Sequence, residues 1–213
     1  MVTFTGFPAE AFDFYERLAA DNSKAYWTAH KALYDNAVRG PLIALAADLE
    51  KEFGEAKVFR PHRDVRFAAD KSPYKTHQGA FCQVADGVGF YIQIDAEGVM
   101  IAGGFHAPGR DETLRYRAAI DRDETGAALE RVLAKLTGKG WAIGGATVAS
   151  RPRGCPADHP QLALMRHESL TVHRRYDGDE RFTSPKALDI VRSDWRALRP
   201  LNDWVLDNVT AKA

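Results

Sequence analysis

The sequence predicts an α+β fold in which an antiparallel sheet, a meander, is flanked by N-terminal and C-terminal helices. Three observations support this fold class. Apolar residues recur every three or four positions before residue 54 and after residue 184, which is the spacing of helices. Between residues 80 and 102 they alternate with a period of two, as in strands with one buried face. No linker-like tract or repeat divides the chain, so a single domain over residues 1–213 is expected.

The N-terminal part is predicted to form three short helices with a shared apolar side. The first has an apolar stripe between residues 7 and 18, and a polar break follows it. Asn22 or Ser23, in that break, can cap the second helix because both side chains accept hydrogen bonds from free backbone N–H groups. Pro41 suits the first turn of the third helix, and Gly54 lies just past its end.

The middle of the chain is predicted to be the meander. A tight turn at Asp86-Gly87 joins its first two strands, since this pair supplies the positive φ angles that such turns require. A second turn at Gly98 leads to the third strand. Gly103 or Gly104, at the end of that strand, is expected to mark a bulge or a close approach of two backbones.

The rest of the chain is predicted to contain further helices and two short strands. Ser184-Pro185 begins a helix, and Pro200 is expected to end or kink it before a last helix at 201–209, because proline lacks the backbone donor that a helix interior needs. The other predicted elements are helices at 114–120, 129–136 and 160–167 and strands at 146–150 and 169–176.

Composition excludes several classes of protein. The chain has 29 Lys and Arg residues and 29 Asp and Glu residues, which argues against a protein that coats nucleic acid or an anionic membrane as a whole. Hydrophobic residues at 45% indicate a globular protein. The two cysteines, Cys82 and Cys155, fit neither a metal spacing nor a disulfide framework, and no apolar stretch reaches the length of a membrane span. A cytoplasmic protein that does not contact membrane is therefore expected.

Charge is distributed unevenly along the chain. Residues 57–77, the basic motif, have the sequence KVFRPHRDVRFAADKSPYKTH, with six basic and two acidic residues and a net charge of +4. Residues 1–56 have five basic and nine acidic residues, a net charge of −4, and the remainder has 18 of each kind. The neutral total is therefore an average over an acidic N-terminal segment and the basic motif.

The basic motif is a candidate site for a small molecule that carries phosphate or carboxylate. Arginine binds such groups through two parallel hydrogen bonds, and lysine adds a mobile point charge. A carboxylate among these cations can orient an arginine, help to hold a divalent cation or act as a base, and a tyrosine can donate a proton. The candidate ligand-binding residues are Arg60, Arg63, Arg66, Lys71 and Lys75, with Arg151 and Arg153 as additional arms, and the candidate catalytic residues are Asp64, Asp70 and Tyr74.

Alternative interpretations stay open, including whether any reaction follows binding. The motif can be a network of ion pairs that fixes it to the acidic N-terminal helices. It can also be a non-enzymatic interaction module for a nucleic acid or an acidic protein partner, because Phe59, Phe67 and Tyr74 lie between its charges. No cofactor is predicted; Mg²⁺ bound through Asp64 or Asp70 with a phosphate is the alternative. The seven histidines show no metal-ligand pattern.

The basic motif also resembles the signature of a known family. Arg63-Asp64-Val65-Arg66-Phe67, Asp70-Lys71 and Pro73-Tyr74-Lys75-Thr76 are similar to the central motif of an uncharacterised family, domain of unknown function 2461. Landmarks elsewhere agree over nearly the whole chain, among them Asn22, Trp27, Arg117 and the run Arg151-Pro152-Arg153-Gly154. The resemblance implies one whole-length domain. It brings no established activity, so it assigns no catalytic residue.

Overall fold

The strands of the protein belong to one antiparallel sheet. The computed structural model describes residues 3–64, 66, 69–106 and 109–210. The strands are β1 (Ala56–Val58), β2 (His77–Ala85), β3 (Val88–Asp95), β4 (Gly98–Phe105), β5 (Ala142–Gly144) and β6 (Leu170–Asp177). Their order in the sheet is β1-β2-β3-β4-β6-β5, so the predicted meander is formed by β2, β3 and β4. Helices both precede and follow the strands along the sequence, so the predicted α+β class is confirmed.

The N-terminal helices are α1 (Ala9–Ala20), α2 (Lys24–Leu33) and α3 (Gly40–Phe53). The second and third are joined by a π-helical turn, Tyr34–Arg39, so the chain does not leave the helical conformation between them. Ser23 caps α2, because its Oγ accepts a hydrogen bond from the Tyr26 backbone N–H at 3.1 Å. Pro41 lies in the first turn of α3, as predicted.

Gly104 confirms the predicted close approach of backbones at the end of β4. Its φ angle is +120°, which L-residues with side chains rarely adopt, and its backbone N–H donates to Asn202 Oδ1 at 2.9 Å. A Cβ atom at this position would lie 2.2 Å from the carbonyl oxygen of Leu170 in β6. Only glycine therefore allows the two strands to run this close together.

The remaining α-helices of the described residues are α4 (Arg110–Asp121), α5 (Asp123–Thr137), α6 (Leu162–Met165) and α7 (Lys186–Asn208), and a short 3-10 helix, Glu180–Thr183, precedes α7. The sequence predicted that Pro200 would end or kink its helix and that a separate last helix would follow. The predicted helix end was wrong, since α7 continues through Pro200. The apolar stripe does not stop there: Leu198, Leu201 and Val205 are all fully buried. Burial of these side chains at about 1.5–3 kcal/mol each outweighs the roughly 3 kcal/mol that an internal proline costs.

The predicted strand at 146–150 was also wrong. The strand in this region is β5, which pairs antiparallel with β6 through Ala142 and His173. It ends because Gly145 has a φ angle of +108° and lies against the backbone of Ser169, where a Cβ atom would be 2.1 Å from the carbonyl oxygen. Within 146–150 only Thr147 forms a bridge, to His167.

The chain divides into two compact units. The first comprises Met1–Cys82, Tyr91–Ile101 and Arg175–Ser193, and the second comprises Gln83–Phe90, Ala102–Arg174 and Asp194–Ala213. Each unit has large side chains that are fully buried, such as Phe14 and Tyr34 in the first and Tyr116 and Trp195 in the second. The single domain over residues 1–213 stays a prediction. No helix in the described ranges combines the length and apolar character needed to cross a bilayer.

Candidate functional site

The basic motif connects β1 and β2, two neighbouring strands of the first unit, and it folds back on itself. His62 and Tyr74 form an antiparallel bridge in which the Arg63 N–H donates to the Pro73 carbonyl oxygen at 2.9 Å. The Lys75 N–H makes the matching bond to the Pro61 carbonyl oxygen, also at 2.9 Å. The two ends of the motif's loop are therefore held side by side. Val65, Phe67 and Ala68 of this loop lie outside the described residues.

Tyr74, a candidate catalytic residue, is part of the core. Its side chain is 5% exposed and stacks on Trp27 of α2, with ring centroids 4.2 Å apart and an angle of 9° between the planes. The ring of His62 lies 5.2 Å from that of Tyr74. Stacked aromatic pairs contribute about 0.5–1.5 kcal/mol beyond the area that they bury. The motif is therefore anchored to α2 through its tyrosine.

Asn22 holds the backbone of the same tyrosine. Its Nδ2 donates to the Tyr74 carbonyl oxygen at 3.0 Å, and its Oδ1 accepts from the Tyr74 N–H at 3.1 Å. The amide side chain thus binds both backbone polar groups of Tyr74, which the bridge to His62 does not use. Because Ser23 caps α2, Asn22 is left for this contact.

Replacing Asn22 by alanine should lower the free energy of unfolding by about 1–3 kcal/mol, because two half-buried backbone groups of Tyr74 lose their partners. Urea denaturation followed by tryptophan fluorescence measures the change. Asn36→Ala is the matched control, since Asn36 is exposed on the π-helical turn and its removal should change stability by less than about 0.5 kcal/mol. Equal effects of the two substitutions would show that Asn22 does not hold the motif.

The two carboxylates of the motif are paired with two of its arginines. Arg66 binds Asp64 through two parallel bonds, Nε to Oδ1 at 2.9 Å and Nη2 to Oδ2 at 2.6 Å. Arg63 forms an ion pair with Asp70. Hydrogen bonds from Ser72, and then the charge of Arg63, hold the pKa of Asp70 below its usual range. In the described part of the chain, Arg63 and Arg66 thus pair within the motif and not with carboxylates of residues 1–56.

Arg60, Arg63 and Lys75 form a group that we call the cationic cluster. Burial, and then the charges of Arg60 and Arg63, lower the pKa of Lys75. The Lys75 ammonium lies 5.5 Å from the centroid of the Phe59 ring. Within the described residues Asp70 is the carboxylate that forms an ion pair with this cluster, through Arg63, while Lys75 forms none. The charge of Arg60 also acts on Asp64, beyond ion-pair distance. The cluster therefore keeps a net charge of about +2.

His77, at the start of β2, lies in the same electrostatic environment. Burial lowers the pKa of its imidazole, the charge of Lys75 lowers it further, and Asp95 acts in the opposite direction. The neutral form of the ring is therefore favoured more than in an unperturbed histidine. Lys71, the last candidate cation of the motif, is exposed.

The two arginines predicted as additional arms belong to the second unit. Arg151 donates through Nη1 to the Cys155 carbonyl oxygen at 2.6 Å and so braces its own loop. Arg153 lines a cavity together with Arg110 and Arg117. The structure thus brings Arg60, Arg63, Asp70 and Lys75 of the basic motif together and pairs Arg66 with Asp64. It places Arg153 with a different set of cations.

The family comparison covers both units. A family model described as a conserved hypothetical protein (DUF2461) matches residues 10–204. The chain belongs to the DUF2461 family. No curated protein matches the sequence.

The structure gives a physical role to three residues outside the basic motif, Asn22, Trp27 and Arg117. Asn22 and Trp27 hold Tyr74 in place, and Arg117 lies in the wall of a cavity. In the ranges that the structure describes, no three His, Cys, Asp or Glu side chains gather as a metal centre would require. Mg²⁺ at Asp64 or Asp70 stays a prediction of the sequence, and both carboxylates are bound to arginines in this structure.

Proposed function

We propose that this DUF2461 protein binds a small molecule bearing phosphate or carboxylate at the cationic cluster. The observation that carries the proposal is the environment of Lys75. Its ammonium group is half-buried and lies near Arg60 and Arg63, and among the described residues no carboxylate pairs with it. Crowded, partly desolvated cations are unfavourable without a counter-charge. A bound anion would supply that charge and raise the pKa of Lys75.

The rest of the motif has supporting roles in this proposal. Asp70 orients Arg63 toward the ligand, and Asp64 orients Arg66. Exposed Lys71 attracts the anion from solution, an effect that salt screens. A catalytic role for Asp64, Asp70 or Tyr74 stays a prediction that depends on identifying the ligand.

Lys75→Gln should weaken binding of pyrophosphate about ten- to hundred-fold, which is the loss expected for one charge-assisted hydrogen bond of about 1.5–3 kcal/mol. Isothermal titration calorimetry measures the affinity. The same substitution should leave the melting temperature unchanged or raise it, because burial and the charges of Arg60 and Arg63 lower the pKa of Lys75 and so make its charged form less favourable in the folded protein. Lys135→Gln, at an exposed position of α5, is the control that removes the same charge elsewhere.

A second measurement reports on Lys75 itself. Reductive methylation with ¹³C-formaldehyde gives each lysine an NMR signal, and the Lys75 signal is the one missing from Lys75→Gln. Saturating pyrophosphate should raise the pKa of Lys75 and leave that of Lys135 unchanged. An unchanged Lys75 pKa would refute the proposal. Steeply salt-dependent binding of single-stranded oligonucleotides, lost in Lys75→Gln, would favour the interaction module instead.

A further inference from the structure

The second unit contains a cavity of about 750 Å³, a volume typical of sites for small organic ligands. Its wall contains three arginines, Arg110, Arg117 and Arg153, together with His106. Glu168 is the carboxylate in the wall, and it is exposed. In the described part of the chain none of the three arginines forms an ion pair with a carboxylate, so the wall has a net positive charge.

Arg117 is the most constrained of these arginines. Its Nε donates to the Met165 carbonyl oxygen at 3.1 Å, which fixes the guanidinium group at one end. Its Nη2 is buried and has no hydrogen-bond partner among the described residues. A charged donor in this state is unfavourable unless an anion compensates it. The local structure therefore holds a positive charge in the cavity wall without neutralising it.

The other arginines approach from different elements. Arg110 is the first residue of α4, and Arg153 lies in the loop that Arg151 braces. Both side chains are exposed, so they are able to close on a ligand. Positions 110, 114 and 117 are separated by four and three residues, which places them on one face of α4. That face has a cation at each end and Leu114, which is 54% exposed, between them.

We propose that this cavity binds a phosphate monoester with an apolar or aromatic body. Three guanidinium groups and one carboxylate give the wall a net charge that matches a dianion, and the oxygens of a phosphate monoester can accept paired bonds from more than one arginine. Leu114 and Ala146 supply the apolar contact for the body of the ligand. The cavity shares no residue with the cationic cluster, so this site and the one proposed for the basic motif stand or fall separately.

The test uses 1-naphthyl phosphate as the probe and 1-naphthol as its uncharged counterpart, in calorimetric titrations of the full chain. The phosphate ester should bind at least about ten-fold more tightly than the naphthol. Arg117→Gln and Arg153→Gln should each weaken it about ten- to hundred-fold. Leu114→Ser should weaken the ester about three- to ten-fold and leave inorganic phosphate unaffected, because only the ester has an apolar body.

Two controls separate this site from others. Arg131→Gln, at an exposed position of α5, removes an arginine charge outside the cavity and should leave the affinity unchanged. Lys75→Gln should also leave it unchanged. Arg153→Gln keeps the test decisive if Arg117→Gln folds poorly, since Arg153 is exposed. Equal affinity for the ester and the naphthol, or wild-type affinity in Arg153→Gln, would overturn the proposal, as would loss of binding in Lys75→Gln alone.

Discussion

Gly104→Ala should lower the free energy of unfolding by about 3–5 kcal/mol, from backbone strain and overpacking together. The φ angle of +120° is one cause. The larger cause is that the new Cβ atom would lie 2.2 Å from the Leu170 carbonyl oxygen and 3.0 Å from the Thr171 Cα. Both are backbone atoms of β6, so no side-chain rotation can relieve the overlap. The neighbouring strands must separate.

Gly140→Ala is the matched control for this substitution. Gly140 also has a positive φ angle, +82°, but a Cβ atom there would have no neighbour within 4 Å. It should therefore show only the conformational cost of about 1–2 kcal/mol. Urea denaturation followed by far-UV circular dichroism compares the two variants. Equal losses would mean that the contact with β6 contributes nothing.

Separation of the strands at Gly104 should also disturb the two buried hydrogen bonds of the Asn202 side chain. Asn202 of α7 accepts from the Gly104 N–H at 2.9 Å and donates through Nδ2 to the Gly89 carbonyl oxygen at 3.2 Å. A buried amide that loses one partner costs about 1–3 kcal/mol. The strain at Gly104 thus reaches β3 and α7 through one side chain.

Trp27→Leu should lower the free energy of unfolding by about 2–4 kcal/mol and weaken pyrophosphate binding at the cationic cluster. Trp27 is 6% exposed and contacts Tyr74, Tyr34 and Phe14, with ring centroids 4.2, 4.8 and 5.8 Å away. Leucine leaves part of this volume empty and removes the surface on which Tyr74 stacks. Lys75, which follows Tyr74 in the sequence, then loses its fixed position.

Trp141→Leu separates the effect on binding from the effect on stability. Trp141 is 4% exposed, belongs to the second unit and lies 4.5 Å from the Arg174 guanidinium group. Its removal should destabilise the protein by a similar amount and leave binding at Lys75 intact. Calorimetric titration with pyrophosphate at 10 °C, where both variants are folded, makes the comparison. Equal affinities in the two variants would show that the stacked tyrosine does not position the cluster.

Local sequence patterns predicted the helices and strands correctly where neighbouring residues decide the structure. The three N-terminal helices, the meander and the glycine at the end of β4 were predicted because apolar spacing and positive φ angles depend on nearby residues. The predicted helix end at Pro200 was wrong because the local cost of proline is outweighed by burial of side chains on either side of it. The strand at 146–150 was misjudged because pairing with β6 begins earlier and Gly145 ends it.

The sequence by itself determined the fold class, the similarity to the DUF2461 family and the position of the basic motif. Only the tertiary structure decided which charges of that motif are compensated: Asp64 and Asp70 bind Arg66 and Arg63, and Lys75 is left beside other cations. It also placed the Asn22 side chain against the backbone of Tyr74, which lies 52 residues further along the chain. A count of charges adds every residue with equal weight, whereas electrostatic energy depends on distance and burial, which the packing of distant segments sets.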